Sequence, residues 1–274
     1  MIEMIPWTAE YPLELDRALR VRLGPLELRV SRRARELRVS SLGDASQLAR
    51  APEVDQVGPE DEPPSAASAG LTTWRFGFTE EPSRLRLAPA LADRPVIIRP
   101  EEPLTLLPGE EVRAYVSSPV WLRLLVGEAR RVLLELPSHR PSDTWFGPLD
   151  HQGQLCYALA THLSLTWADR LRKPNRAITP VVIVNSAHEP FTVARLRVPV
   201  GQLSIFGTAD RRLWTERITL TRRDDAEGEA RVTVDGEPPR EAEGGELLSP
   251  PRAPGGRSFN LRAFEGALFG RGIA

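Results

Sequence analysis

The chain has 274 residues, enough for one large β domain or two smaller ones. Its apolar fraction of 41% is ordinary for a soluble globular protein, and no stretch approaches the ~18 uncharged apolar residues of a transmembrane helix. The net charge of −1 lacks the basic excess typical of proteins that bind nucleic acid through its phosphates. We therefore expect no nucleic-acid partner and no direct insertion into a membrane.

The N-terminal residues and the number of cysteines indicate the cellular compartment. The N-terminal stretch MIEMIPW has an early acidic residue and neither a basic region nor a long apolar one, so it does not resemble a secretory signal. Cys156 is the single cysteine, which excludes an internal disulfide and fits a reducing compartment. We expect a cytoplasmic protein.

Alternating apolar residues predict β-strands along much of the chain. The 26 prolines argue against a helical protein, because proline lacks an amide donor and breaks helix interiors. Leu26, Leu28 and Val30 alternate with polar residues, and Leu37 and Val39 do the same after a turn, which predicts a hairpin. Further strands are predicted at residues 112–116, 132–136, 155–167, 218–220 and 232–234.

Two polar, proline-rich segments interrupt this pattern. Residues 43–70 hold few large apolar side chains and cannot offset their ordering entropy by burial, so we expect a long, mobile, disordered loop there. Residues 236–256 have a similar composition and predict a flexible linker. Beyond it, Leu261, Phe264 and Leu268 recur at helical spacing, which predicts a short C-terminal helix that packs on its own domain or on another chain.

Two stretches of the chain resemble each other. PVII at 95–98, EPLTL at 102–106 and PV at 119–120 are followed by PVVI at 180–183, EPFTV at 189–193 and PV at 199–200. Such self-similarity is typical of one supersecondary unit used twice. We therefore predict an all-β protein of two tandem, related β-sandwich modules of immunoglobulin-like type. The N-terminal module spans 1–136 and contains the loop, the C-terminal module spans 137–236, and a flexible linker with an apolar tail spans 237–274.

A cluster of histidines around the single cysteine raises the question of metal or nucleophile chemistry. His139, Asp143 and His151 could form a metal site on loops and support a metal-assisted hydrolase. Cys156 and His162 cannot share an ion if they lie on one strand, because six residues span roughly 20 Å. The residues flanking Cys156 match no catalytic cysteine signature, and a buried small hydrophobe is the favoured interpretation. We predict no catalytic, cofactor or metal site.

Aromatic residues between the two repeats are the favoured candidates for a contact surface. Trp145 and Phe146 follow a strand and lie next to Asp143, so they either plug the seam between the modules or form a pocket for a ligand or partner. The complete set of candidate interaction or ligand residues is Trp145, Phe146, Asp143, His151, Phe259, Phe264 and Phe269.

Four motifs together resemble the uncharacterised prokaryotic family DUF432. They are SDTWFG at 142–147, GQLCYAL at 153–159, TPVVIVN at 179–185 and VPV at 198–200, and the resemblance covers about residues 94–223. It implies a protein without a known reaction, and an accessory role beside small mechanosensitive channel proteins, near which family members are encoded. The tail from Pro238 to Ala274 falls outside this resemblance.

The favoured function is therefore protein–protein interaction by a non-enzymatic β-sandwich protein. The partner is a second copy or a protein of a membrane complex of the mechanosensitive channel type, and exposed edge strands offer a second route to it by strand addition. Two alternatives stay open: a small-ligand or carbohydrate-binding sandwich, which needs Trp121, Trp145 or Trp167 exposed beside an acid or amide, and the metal-assisted hydrolase.

Overall fold

The computed structural model describes most of the chain, and the regular structure of the described residues is all β apart from two short 3-10 helices, Val200–Gln202 and Arg240–Ala242. The predicted all-β class is confirmed. Among the described residues, no helix has the length and apolar character needed to cross a bilayer. The described residues are 9–15, 17–43, 46, 52–57, 70–80, 82–147, 153–159, 163–166, 173–224, 230–253, 255 and 258–261.

The described residues form short and medium strands. In chain order they are β1 (Glu10–Pro12), β2 (Ala18–Leu23), β3 (Leu26–Arg33), β4 (Glu36–Gly43), β5 (Glu53–Val57), β6 (Thr72–Gly77), β7 (Arg84–Ala90), β8 (Val96–Ile98), β9 (Leu104–Leu106), β10 (Glu111–Pro119), β11 (Trp121–Val126), β12 (Arg131–Pro137), β13 (Ser142–Phe146), β14 (Gln154–Leu159), β15 (Arg176–Asn185), β16 (Phe191–Val193), β17 (Leu196–Val198), β18 (Ile205–Gly207), β19 (Leu213–Trp214), β20 (Ile218–Arg222), β21 (Ala230–Val234), β22 (Glu246–Ser249) and β23 (Ser258–Leu261).

The N-terminal sheet has the strand order β5-β2-β3-β4-β6, with every pair antiparallel. Its inner face follows the alternation in the sequence: Val21 lies opposite Leu28, and both are buried. The β3–β4 hairpin turns beside Arg35, which adopts a positive φ of 59°. The predicted hairpin is confirmed.

The remaining strands form four further sheets around the same core. Their orders are β1-β7-β11-β12, β13-β14-β8-β17, β16-β9, and β22-β18-β19-β15-β20-β21-β23 with β10 also paired to β15. One continuous apolar cluster takes buried side chains from all five sheets, among them Leu28, Ile98, Leu122, Phe191 and Ile218. The sheets therefore share a single core.

Strands from the two repeated sequence blocks pair with each other. β9 pairs antiparallel with β16, where Thr105 lies opposite Thr192 and their hydroxyls are 2.8 Å apart. β8 pairs with β17 and β10 pairs with β15, so each repeat supplies partners for the other. The module boundary predicted between residues 136 and 137 therefore places hydrogen-bonded neighbours, such as β10 and β15, in different modules. The duplication itself stays a prediction.

Part of the predicted disordered loop is a strand. β5 lies within residues 43–70 and pairs with β2, where Arg20 donates to Asp55 at 2.5 Å. Val57 is buried at the end of this strand. The loop prediction was wrong for β5 because sparse apolar residues suffice when a neighbouring strand supplies the hydrogen bonds and an ion pair. The other residues of that segment lie mostly outside the described part of the chain.

The predicted flexible linker is also largely built into the fold. β22 pairs with β18, and Ala242 is fully buried against Trp214 and Ile178. Arg252 donates from Nε to the backbone oxygen of Leu91 at 2.6 Å. The linker prediction was wrong for these residues because small side chains let this polar segment approach the core closely, whereas composition alone reports only its polarity.

Two further element predictions need correction. The strand predicted at 155–167 ends at Leu159, which lies opposite Ile98, the last residue of its neighbour β8. The C-terminal helix cannot begin at Leu261, because that residue ends β23 and pairs with Ala230. Residues 262–274, including Phe264 and Phe269, lie outside the described part of the chain.

Candidate functional site

The candidate site surrounds residues 137–146, where the chain leaves β12 and enters β13. Among the described strands, β13 has β14 as its one neighbour and forms an edge of its sheet. Asp143 lies opposite Tyr157 and Trp145 lies opposite Leu155, which places these four side chains on one face of the sheet.

An apolar pair lies at the outer end of this face. The side chains of Trp145 and Leu155 remain 41% and 42% exposed although they face each other across the strands. Large apolar residues in such a pair present a hydrophobic surface next to the polar backbone of an edge strand. We call these two residues the edge pair.

Charged and aromatic groups continue the same face toward the core. Arg94 donates to Asp143 at 3.0 Å and stacks over the ring of Tyr157, 5.4 Å from its centroid. The hydroxyl of Tyr157 donates to Asp93 at 3.0 Å, and its ring packs against Trp121 at a centroid distance of 5.8 Å. Burial and the hydrogen bond to Asp93 raise the pKa of Tyr157, so it stays a neutral donor.

The opposite face of β13 is closed by packing. Phe146 is buried with Ile97 and Cys156 in a small apolar cluster. Burial raises the pKa of the Cys156 thiol, although the nearby Arg197 opposes that change. A thiol held in its protonated form is a poor nucleophile, so Cys156 acts as a small core residue.

A cavity of about 350 Å³ lies on the other side of residues 137–140. We call the apolar part of its lining, Pro25, Leu26, Leu136 and Pro137, the apolar wall, and the polar part, Ser41, Ser138, His139 and Arg140, the polar rim. The cavity therefore lies between the end of the β3–β4 hairpin and the β12–β13 connection.

Positively charged side chains lie next to this cavity. Burial lowers the pKa of His139, and the charges of Arg176 and Lys173 lower it further. Arg176 donates from Nε to the Ser117 hydroxyl at 2.9 Å and also donates to the Ser117 backbone oxygen. The imidazole is therefore predominantly neutral at neutral pH, and it is available as an acceptor or a donor.

The sequence profile of one family, described as a protein of unknown function (DUF432), matches residues 9–269. The chain belongs to the DUF432 family. The resemblance seen in the four motifs is thus confirmed, and the match is wider than they indicated: it takes in most of the segment from Pro238 onward, which was predicted to lie outside the family. No curated protein and no solved structure matches the chain.

The structure of this DUF432 protein places three of the predicted contact residues on β13 and brings two of them together on one face. Asp143 and Trp145 share the exposed face of β13, whereas Phe146 points into the core. Phe259 belongs to β23, which lies in a different sheet. His151, Phe264 and Phe269 lie outside the described residues.

The proposed metal triad is not assembled by the part of the chain that is described. Asp143 engages Arg94, and no group of three His, Cys, Asp or Glu side chains suited to a metal occurs among the described residues. Since His151 is not among them, the hydrolase alternative stays a prediction. Sequence reasoning missed Arg94 and Tyr157, whose roles depend on the parallel pairing of β14 with β8.

Proposed function

We propose that this DUF432 protein is a non-enzymatic interaction protein in which β13 accepts an extended segment of a partner protein. The observation that carries the proposal is the edge pair: Trp145 and Leu155 are exposed side by side at a sheet edge. Strand addition supplies main-chain hydrogen bonds, while side chains next to the edge select the partner sequence.

The surroundings of the edge pair support this mode of binding. Tryptophan is enriched among the few residues that dominate interface energies. Arg140 lies 3.7 Å from Asp143, and both remain substantially exposed, so a polar rim borders the apolar patch. An apolar centre with a charged rim is the usual anatomy of a protein–protein interface. The partner segment should carry an apolar residue opposite Trp145.

The family resemblance supplies one class of partner to test. A membrane complex of the mechanosensitive channel type would offer extended segments next to its membrane-spanning part, and this protein would act there as an accessory subunit. Self-association through two β13 edges is the competing outcome.

A capture experiment with matched surface variants tests the proposal. Tagged full-length protein carrying Trp145→Ser and Leu155→Ser should lose a partner that the wild type recovers, and a measured affinity should fall by about 2 kcal/mol, or roughly thirtyfold. Leu247→Ser is the control, because Leu247 is 55% exposed on the distant edge strand β22. In the recovered complex, the amides of residues 142–146 should exchange hydrogen more slowly. Equal recovery by all variants, or unchanged exchange in β13, would contradict strand addition.

A small-ligand or carbohydrate function is the second candidate. Trp121 is buried, but Trp145 is exposed two residues from Asp143, and an aromatic ring beside a carboxylate is suited to stacking and hydrogen bonding with a sugar. Trp167 lies outside the described residues. Titration with simple sugars, followed by tryptophan fluorescence, separates this candidate from strand addition. A change in the wild type that is absent from Trp145→Phe would show that the sugar binds at Trp145.

A further inference from the structure

The cavity beside residues 137–140 has the size and lining of a small-molecule site. At about 350 Å³ it falls within the usual range of ligand pockets, near its lower end. Its lining combines apolar and polar side chains, so a suitable ligand would carry both an apolar part and a polar part. Neither the hydroxyl of Ser41 nor the ring of His139 has a hydrogen-bond partner among the described residues, which leaves both side chains able to bind a ligand.

The positive charge next to the cavity is only partly balanced by acidic side chains. In the described part of the chain, the side chain of Arg176 bonds only to Ser117, and no carboxylate lies within ion-pair distance of Arg176 or Lys173. Arg140 on the rim meets Asp143 at 3.7 Å, beyond hydrogen-bond range, and its side chain is 65% exposed. Arg140 in the lining and Arg176 and Lys173 near His139 thus give this region an excess of positive charge, although the net charge of the chain is −1.

We propose that this cavity binds a small organic anion, with an apolar body against Leu26 and Leu136 and a carboxylate at His139 and Arg140. The apolar wall contributes by burial of the ligand body. The rim contributes charge-assisted hydrogen bonds, which are stronger than neutral ones, particularly where an arginine can hold both carboxylate oxygens. Arg140 borders both surfaces, but neither residue of the edge pair belongs to the lining of the cavity.

Anion binding should also be linked to the protonation of His139. Burial and the charges of Arg176 and Lys173 oppose protonation of this ring. A bound carboxylate supplies the missing negative charge, so it raises the pKa of His139. By reciprocity, the anion binds more tightly as the pH falls through the pKa of that ring.

The test uses full-length protein and benzoate as the probe, followed through the ring protons of His139 by NMR. Benzoate should bind saturably and move the His139 pKa upward. Benzamide has nearly the same size and no charge, and it should bind at least about tenfold more weakly, because it lacks the charge-assisted bonds. Inorganic phosphate, which has charge and no apolar body, should also bind more weakly than benzoate.

Three variants complete the test. Arg140→Gln and Lys173→Gln, both at exposed positions, should each weaken benzoate several-fold while the protein stays folded. Arg84→Gln is the control, since Arg84 is 74% exposed on β7 and lies outside the cavity lining. The proposal is overturned if benzoate and benzamide bind equally, if phosphate binds as tightly as benzoate, or if Arg84→Gln weakens benzoate as much as Arg140→Gln. These outcomes do not depend on the edge pair.

Discussion

Glu135 on β12 illustrates how one carboxylate stabilises two separate parts of the chain. It accepts a hydrogen bond from Arg123 on β11 at 2.7 Å and bonds to Arg252 from the C-terminal segment. Both arginine side chains are about four-fifths buried, and burial lowers the pKa of each. Glu135 therefore neutralises two guanidinium groups that are removed from most of their water.

Glu135→Gln should lower the free energy of unfolding by roughly 2–3 kcal/mol, measured by urea denaturation at neutral pH. The amide keeps the shape and one acceptor oxygen but leaves two largely buried cations without a counter-charge. Glu10→Gln is the matched control, because Glu10 meets Arg84 at 3.7 Å on an exposed edge, where an ion pair contributes at most about 1 kcal/mol. Equal losses in both variants would contradict a special role for Glu135.

His139 should make stability depend on pH below neutrality. Burial and the charges of Arg176 and Lys173 lower its pKa from the ordinary 6.5. The unfolded chain therefore binds a proton at pH values where the ring of the folded chain is still neutral. The free energy of unfolding therefore falls as the pH drops through 6.5, and the loss is complete below the lowered pKa. One group contributes a slope of at most about 1.4 kcal/mol per pH unit.

Replacing His139 with Gln should flatten this part of the pH profile. Urea denaturation between about pH 7.5 and pH 5 measures it, since that window covers the ordinary histidine range. His188→Gln, which removes a ring that is 96% exposed, shows what the loss of a histidine does elsewhere. If the profile of His139→Gln has the same slope as the wild type, the ring is not desolvated in solution.

At the scale of elements, the sequence predicted those strands that are buried on one face. In the β3–β4 hairpin, β20 and β21, apolar and polar residues alternate, and this period of two is visible without knowledge of the partner strand. The three-residue strands β8, β9, β16 and β17 are too short to show a period. They were visible only as repeated motifs, because their backbone pairing is long-range.

The candidate site was predictable to the same degree. Trp145 and Asp143 stood out by composition, and their shared face follows from strand alternation. Arg94 and Tyr157 join them through β8 and β14, a parallel pair that periodicity does not indicate. The cavity could not be predicted, since it lies between the β3–β4 hairpin and the β12–β13 connection, which are about 100 residues apart in sequence.

At the scale of the whole molecule, strands from the first half of the chain pair with strands from the second half. β10 pairs along its full length with β15, and β8 lies between β14 and β17. Strands from distant parts of the sequence are thus needed to complete each sheet, so neither half carries a full set of partners. The C-terminal segment adds to this, since β22 and β23 complete both ends of the largest sheet.

A chain ending at Gly236 should therefore be much less stable than the full-length protein. It loses β22 and β23, the buried Ala242 and both contacts of Arg252, which together hold the largest sheet to Glu135 and Leu91. The loss should be a large part of the ~5–15 kcal/mol that stabilises a typical domain. A chain ending at Leu261 keeps all of these contacts and is the control in thermal denaturation. If the shorter chain melted at the temperature of the control, the C-terminal segment would be dispensable for folding, and a partner lost on truncation would then bind the segment itself.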